Sequence, residues 1–224
     1  MHDTLKAVTA SLLGFAYFGV LLFLPAGTFD YWQAWVFIAV FVLVTVVPGI
    51  YWAMRRPEVL RRRMNAGPMA ETRPAQKIVV SCLYLCLTAW LVVCALDHRF
   101  GWSNVPTAVV LVGIVLVAVG LCITMLVVQQ NSFAAANITV AADQPLVSTG
   151  LYGFVRHPMY FGALMMMIGM PLALDSYWGL LFIIPSVIIL VVRILDEEKA
   201  LQQELAGYRE YTQKVHHRLV PGIW

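Results

Sequence analysis

The sequence predicts an all-α integral membrane protein. About six transmembrane helices are expected, the last two forming a tight hairpin, followed by a cytoplasmic helical C-terminal tail. Three observations carry this expectation. Of the 224 residues, 61% are hydrophobic and 12% charged, and mean hydropathy is +0.79; soluble domains carry about 25% charged residues. Apolar runs of about 18–24 residues recur along the chain. They are long enough to cross a ~30 Å hydrocarbon layer as helices, and they lack the strand-by-strand alternation of a barrel. Between the last two runs stand only Asp175 and Ser176, a link that makes its flanking helices antiparallel neighbours.

In chain order, residues 1–7 are a short polar start and Val8 to Ala26 the first apolar span. Its core is longer than the ~7–15 residues of a signal peptide, so it is expected to be retained. Residues 27–30 form a tight turn, and Tyr31, Trp32 and Trp35 open a second span that ends near Met54, as interfacial aromatics do. Residues 55–77 hold Arg55, Arg56, Arg61, Arg62, Arg63, Arg73 and Lys77 against Glu58 and Glu71. The positive-inside rule places such a loop in the cytoplasm and accounts for its charge; contact with anionic headgroups is the alternative use.

The third span is Ile78 to Leu96, with Asp97, His98, Arg99 and Trp102 marking the opposite face, and the fourth is Val105 to Val128. Residues 129–157 carry Gln129, Gln130, Asn131, Asn137, Asp143 and Gln144, and a loop of this length is more often functional than idle. Pro158 to Leu174 and Tyr177 to Leu195 are the fifth and sixth spans, with Pro171 and Pro185 as potential kinks. Six crossings put both termini, the basic loop and the 129–157 loop in the cytoplasm; Lys199, Arg209, Lys214 and Arg218 of the tail agree. The chain thus divides into a four-helix scaffold, 1–128, and a core, 129–224.

A net charge of +3 and a pI of about 8.7 give no basis for nucleic-acid binding; lipid is the expected environment. Cys82, Cys86, Cys94 and Cys122 all fall in apolar spans, without the spacing of a disulfide framework or a zinc site. No metal is expected, and the histidines offer no within-membrane pair for haem. No small-residue face stands out to argue for a homodimer.

The chemistry concentrates at the two ends of the last hairpin. Pro158 suits the first position of a helix, which puts Arg156 and His157 at a helix entry on the membrane surface, where free N–H groups favour an anionic ligand. At the other end, Arg193 and Glu197 are four apart, on one helix face. An ionisable residue at that depth is a functional candidate by default, with Glu197 as partner. The hairpin lets Arg156, His157, Tyr160, Arg193 and Glu197 converge. An interfacial anchor and a structural ion pair are the plain alternatives.

Arg156-His157-Pro158-x-Tyr160, paired with Glu197-Glu198 some forty residues on, resembles the isoprenylcysteine carboxyl methyltransferase family. Leu146-Val147-Ser148-Thr149-Gly150-Leu151-Tyr152 and the closing Arg218-Leu219-Val220-Pro221-Gly222-Ile223-Trp224 share the likeness, which spans about Asn137 to Trp224 and extends to membrane phospholipid methyltransferases. It implies a membrane methyltransferase that uses S-adenosylmethionine, with residues 129–224 as the methyltransferase-type core. It also implies a cofactor site at Asn137, Gln144, Pro145, Leu146, Val147, Tyr152, Arg156, His157, Tyr160, Glu197 and Glu198, with Arg193 and Glu197 catalytic and Arg193 addressing the acceptor's carboxylate. The implied acceptor is a prenylated cysteine or similar lipophilic molecule. A phospholipid amine, a small thiol, and a non-enzymatic scaffold remain open.

Overall fold

The computed structural model describes residues 2–134, 137 and 144–224, and among them there is no strand. Asp143 lies outside the described residues. The helices are α1 (His2–Ala26), α2 (Trp32–Arg55), α3 (Pro57–Met64), α4 (Pro74–Phe100), α5 (Thr107–Gln130), α6 (Pro158–Ala173), α7 (Ile183–Glu204) and α8 (Tyr208–Lys214), with 3-10 turns at Pro68–Ala70, Gly150–Gly153 and Trp178–Phe182. The expected basic loop is therefore partly helical. Pro57 opens α3 at its first turn, and Val59 and Leu60 bury one side of it beside Trp52 and Val128.

Among the described residues, four stretches are long and apolar enough to cross a membrane: Trp32–Arg55, Pro74–Phe100, Thr107–Gln130 and Trp178–Glu204. Leu12–Ala26 and Pro158–Ala173, where a first and a fifth span were expected, are shorter apolar helices. With 16 residues, α6 rises only ~24 Å at 1.5 Å per residue, less than the ~30 Å hydrocarbon core. Leu24, Leu43, Met54, Leu85 and Ile184 all point outward. So much exposed apolar surface on helix after helix fits a protein whose solvent is lipid.

Lipid removes most of the hydrophobic drive to bring such helices together, so close backbone approach takes its place. The α5–α6 pair shows this directly. A Cβ on Gly120 would stand 2.4 Å from the Gly162 carbonyl, and one on Gly162 would stand 2.6 Å from the Gly120 carbonyl. Gly113 and Gly169 repeat the contact two turns along, with a Cβ on Gly113 2.8 Å from the Gly169 carbonyl. The small-residue face of this chain is internal. It clamps the start of α6, which carries His157 to Tyr160, beside the end of α5.

The far end of the bundle is closed by two carboxylates. Asp175, at φ +59° in the turn after α6, accepts from the Val105 N–H and from Gln33 Nε2, each at 3.1 Å. Asp97 is fully buried; it accepts from the Ser103 N–H and Oγ at 2.7 Å and from Ser176 Oγ. Asp97 is thus an internal staple between α4 and the hairpin turn, more than a marker of that face. Asp97→Ala strands these donors, each worth about 1–3 kcal/mol when left buried and unpaired. We expect a loss of about 3 kcal/mol in total, seen as a lower melting midpoint in detergent, with ligand binding at the opposite end unchanged.

Candidate functional site

The site begins at the entry to α6. His157 caps that helix and Pro158 fills its first turn. The backbone before it is pinned to the tail: the Arg156 N–H donates to the His217 carbonyl and the His157 N–H to the Arg218 carbonyl, both at 2.9 Å. Behind this segment sits Glu198, 3% exposed. Its carboxylate receives Arg156 Nη1 at 2.9 Å and Arg218 Nε at 2.8 Å, and lies 3.3 Å from His157 Nε2. One carboxylate therefore ties the helix entry, α7 and the C-terminal segment together.

A second network lies one turn earlier on α7. Arg193 Nη1 donates to Glu71 Oε1 at 3.0 Å and to Gln76 Oε1 at 2.9 Å. Arg193 Nε donates to the Tyr160 hydroxyl at 3.1 Å, and that hydroxyl donates to Glu197 Oε2. The spacing had pointed to Glu197 as the ion-pair partner of Arg193. The salt bridge the structure shows closes on Glu71, and Glu197 joins through Tyr160. Gln76 is held in turn by Asp196, which accepts from its Nε2 at 2.6 Å.

Between the two networks lies a cavity of about 320 Å³, within the usual range of ligand pockets, about 300–1,000 Å³. Asn137, Gln144, Pro145, Leu146, Val147, Tyr152, Arg156, His157, Tyr160, Arg193 and Glu197 all line it. Glu198 does not; it stands behind the wall and holds it. The cavity also takes Arg63 and Thr124 from the four-helix scaffold, and Phe133, Met159, Tyr208 and Tyr211, none of which the sequence reading placed at the site. Tyr208 and Tyr211 follow Gly207 at helical spacing in the tail, and that spacing was the available signal. Arg63 and Thr124 gave none, because their approach is purely tertiary.

The cavity lining mixes polar side chains, among them Arg193, Glu197, Asn137 and Gln144, with Leu146, Leu201, Leu205 and aromatic rings. Burial pushes the phenols of Tyr152, Tyr208 and Tyr211 above their ordinary range, so all stay neutral donors at pH 7. Tyr211 donates to the Tyr152 carbonyl at 2.7 Å. The Tyr208 hydroxyl and Arg156 Nε, by contrast, are buried without a hydrogen-bond partner among the described residues. Two orphaned polar groups on one cavity are what a polar ligand would satisfy.

Residues 108–207 match the family model described as phospholipid methyltransferase. A segment of 90 residues, 39% of the chain, is 30% identical to the Delta(14)-sterol reductase TM7SF2 of Mus musculus. It spans only 22% of that protein. Among solved structures, the chain is similar to the eukaryotic intramembrane Ras methyltransferase (isoprenylcysteine carboxyl methyltransferase), with a TM-score of 0.47, 18% identity, and coverage of 96% of this chain and 86% of the other. The residues that match the phospholipid methyltransferase model, 108–207, carry nearly all of α5, the helix entry at His157-Pro158, Arg193, Glu197 and Glu198.

Proposed function

We propose that this protein transfers a methyl group from S-adenosylmethionine to a lipophilic acceptor at the cytoplasmic membrane boundary. The observation that carries the reading is the cavity itself. It joins the His157-Pro158 helix entry to Glu197 and keeps two buried polar groups without partners, in a segment of a methyltransferase family. These groups fit the cofactor. Tyr208 and Arg156 would take its polar edges, Leu146, Tyr152 and Leu205 its ring, and Glu197 its positive charge. When bound, the cofactor supplies an activated methyl on a sulfonium.

The acceptor we favour is the carboxylate of a prenylated cysteine or a similar amphiphile. A carboxylate is already ionised and needs no base, so positioning and exclusion of water suffice. Arg193 and Glu197 are the catalytic candidates, and Glu71 and Gln76 hold Arg193 in place. A phospholipid amine would have to surrender a proton, for which Glu197 is the nearest base. The basic segment around α3 and the basic tail support cytoplasmic termini.

A second reading comes from the reductase relative: the same cavity would then take a nicotinamide hydride donor. Titration of S-adenosylhomocysteine and of NADPH into the detergent-solubilised full chain separates the two. We expect S-adenosylhomocysteine to bind. Tyr208→Phe should weaken that binding about tenfold, as loss of one buried hydrogen bond does. The same variant should melt no lower than the wild type, because its hydroxyl has no partner to lose. Binding of NADPH alone would transfer the site to a reductase, and binding of neither would leave a scaffold.

A further inference from the structure

We propose that Arg63 binds the anionic group, carboxylate or phosphate, of the amphiphile that enters this cavity. The inference rests on the cavity being the acceptor's site, though not on methyl transfer. Three arginines line the cavity, and two are already committed. Arg193 is paired with Glu71 at 3.0 Å. Arg156 is paired with Glu198 at 2.9 Å and donates to the His216 carbonyl at 3.0 Å. Among the described residues the hydrogen-bond partner of Arg63 is the Met159 sulfur, at 3.7 Å, a weak acceptor. Among the described residues no carboxylate pairs with it.

Arg63 is also unlike the outward-facing arginines of its segment. Arg55 and Arg61 are exposed, as topology determinants should be. Arg63 turns inward, and burial lowers the pKa of its guanidinium, which still stays protonated. Its helix is fixed on both sides. Val59 and Leu60 are buried, and Arg62 donates to the Ser132 carbonyl at 3.1 Å with its guanidinium 4.0 Å over the Phe133 ring. A fixed, half-buried cation that no carboxylate among the described residues pairs with is a site for an anion.

The direction of the cavity says which anion. Met159, Ala163 and Met166 lie on one face of α6 at helical spacing, with Arg63 at its head. Ala163 and Met166 also wall a second cavity of about 320 Å³, lined by Phe18, Phe41, Leu87, Trp90 and Met170. The stripe therefore runs from a cation at the membrane edge to an apolar chamber at membrane depth, the shape of a charged head and a hydrocarbon tail. Arg156 and Tyr208, where the cofactor is proposed, belong instead to the helix entry and the C-terminal segment: Arg156 is held by residues 216 and 217, and Tyr208 opens α8.

Equilibrium binding to the full chain in a non-ionic detergent tests this, with dodecanoate, dodecyl phosphate and dodecanol as ligands. The wild type should prefer one or both anions to the alcohol, and the better of the two identifies the head group. Arg63→Gln should lose about tenfold or more of the anion affinity, as removal of a charged hydrogen bond does. It should leave dodecanol and S-adenosylhomocysteine binding unchanged, and Arg63→Lys should recover part of the loss. Arg63→Gln removes an unpaired charge, so its melting midpoint should not fall. A loss of S-adenosylhomocysteine affinity with alkyl anions unaffected would assign Arg63 to the cofactor and overturn the proposal. Equal binding of anions and alcohol, or no effect of the substitution on any ligand, would overturn it as well. If the wild type ignores S-adenosylhomocysteine yet binds alkyl anions through Arg63, this inference stands and methyl transfer fails.

Discussion

Gly162→Val will leave little folded protein. The α5–α6 contact is backbone against backbone, with a Cβ at position 162 placed 2.6 Å from the Gly120 carbonyl and 3.0 Å from Thr124 Oγ1. Overpacking against a flexible side chain costs about 1–3 kcal/mol. Here the obstacle is a carbonyl inside a helix, so relief requires the helices to separate. That separation strips the packing that holds two apolar helices together in lipid, and we expect a loss above about 3 kcal/mol. Gly19→Ala is the control: its new methyl meets nothing within 4 Å, and alanine favours a helix over glycine by about 1 kcal/mol. Melting and size-exclusion profiles in detergent should show the Gly19 variant intact and the Gly162 variant aggregated. A Gly162→Val protein that melts like the wild type would mean that α5 and α6 do not touch as described.

The same contact shows what the sequence can and cannot disclose. Gly113 and Gly120 on α5, and Gly162 and Gly169 on α6, each stand seven apart. That repeat is visible in the sequence, but the helix each pair faces is not. Apolar runs, Pro158 after Arg156-His157, and the two-residue link at Asp175-Ser176 revealed helices and their ends, because those signals are local. Length was less secure: α6 is an apolar helix of 16 residues, and composition alone does not separate a short helix from a full span. The site divides the same way. Arg193 and Glu197 were legible from their spacing, yet their link runs through Tyr160. The carboxylate that Arg193 meets at 3.0 Å is that of Glu71, 122 residues away in the chain. Arg63 and Gln76 reach the site by the same long-range route, for which periodicity gives no signal.

Glu198→Ala will destabilise the protein by about 3–5 kcal/mol, the usual cost of removing one partner from a buried ion cluster. Helix geometry sets Glu198 about 100° round from Glu197, and the structure gives the two different tasks. Glu197 looks into the cavity. Glu198 looks away from it and neutralises Arg156 and Arg218 beside His157. Without it, two guanidiniums lose their shared counter-charge, and the segment that positions His157 and Pro158 loses its electrostatic anchor. Ligand affinity should therefore fall with stability, although Glu198 does not line the cavity. Glu198→Gln, which keeps the shape and one acceptor oxygen, should lose less, and the difference between the two variants measures the charge. A double-mutant cycle with Arg218→Ala should return a coupling above about 1 kcal/mol, as expected for directly paired groups. Additive losses would place the stabilisation in packing, and the helix entry would then be held by its two backbone hydrogen bonds to residues 217 and 218 alone.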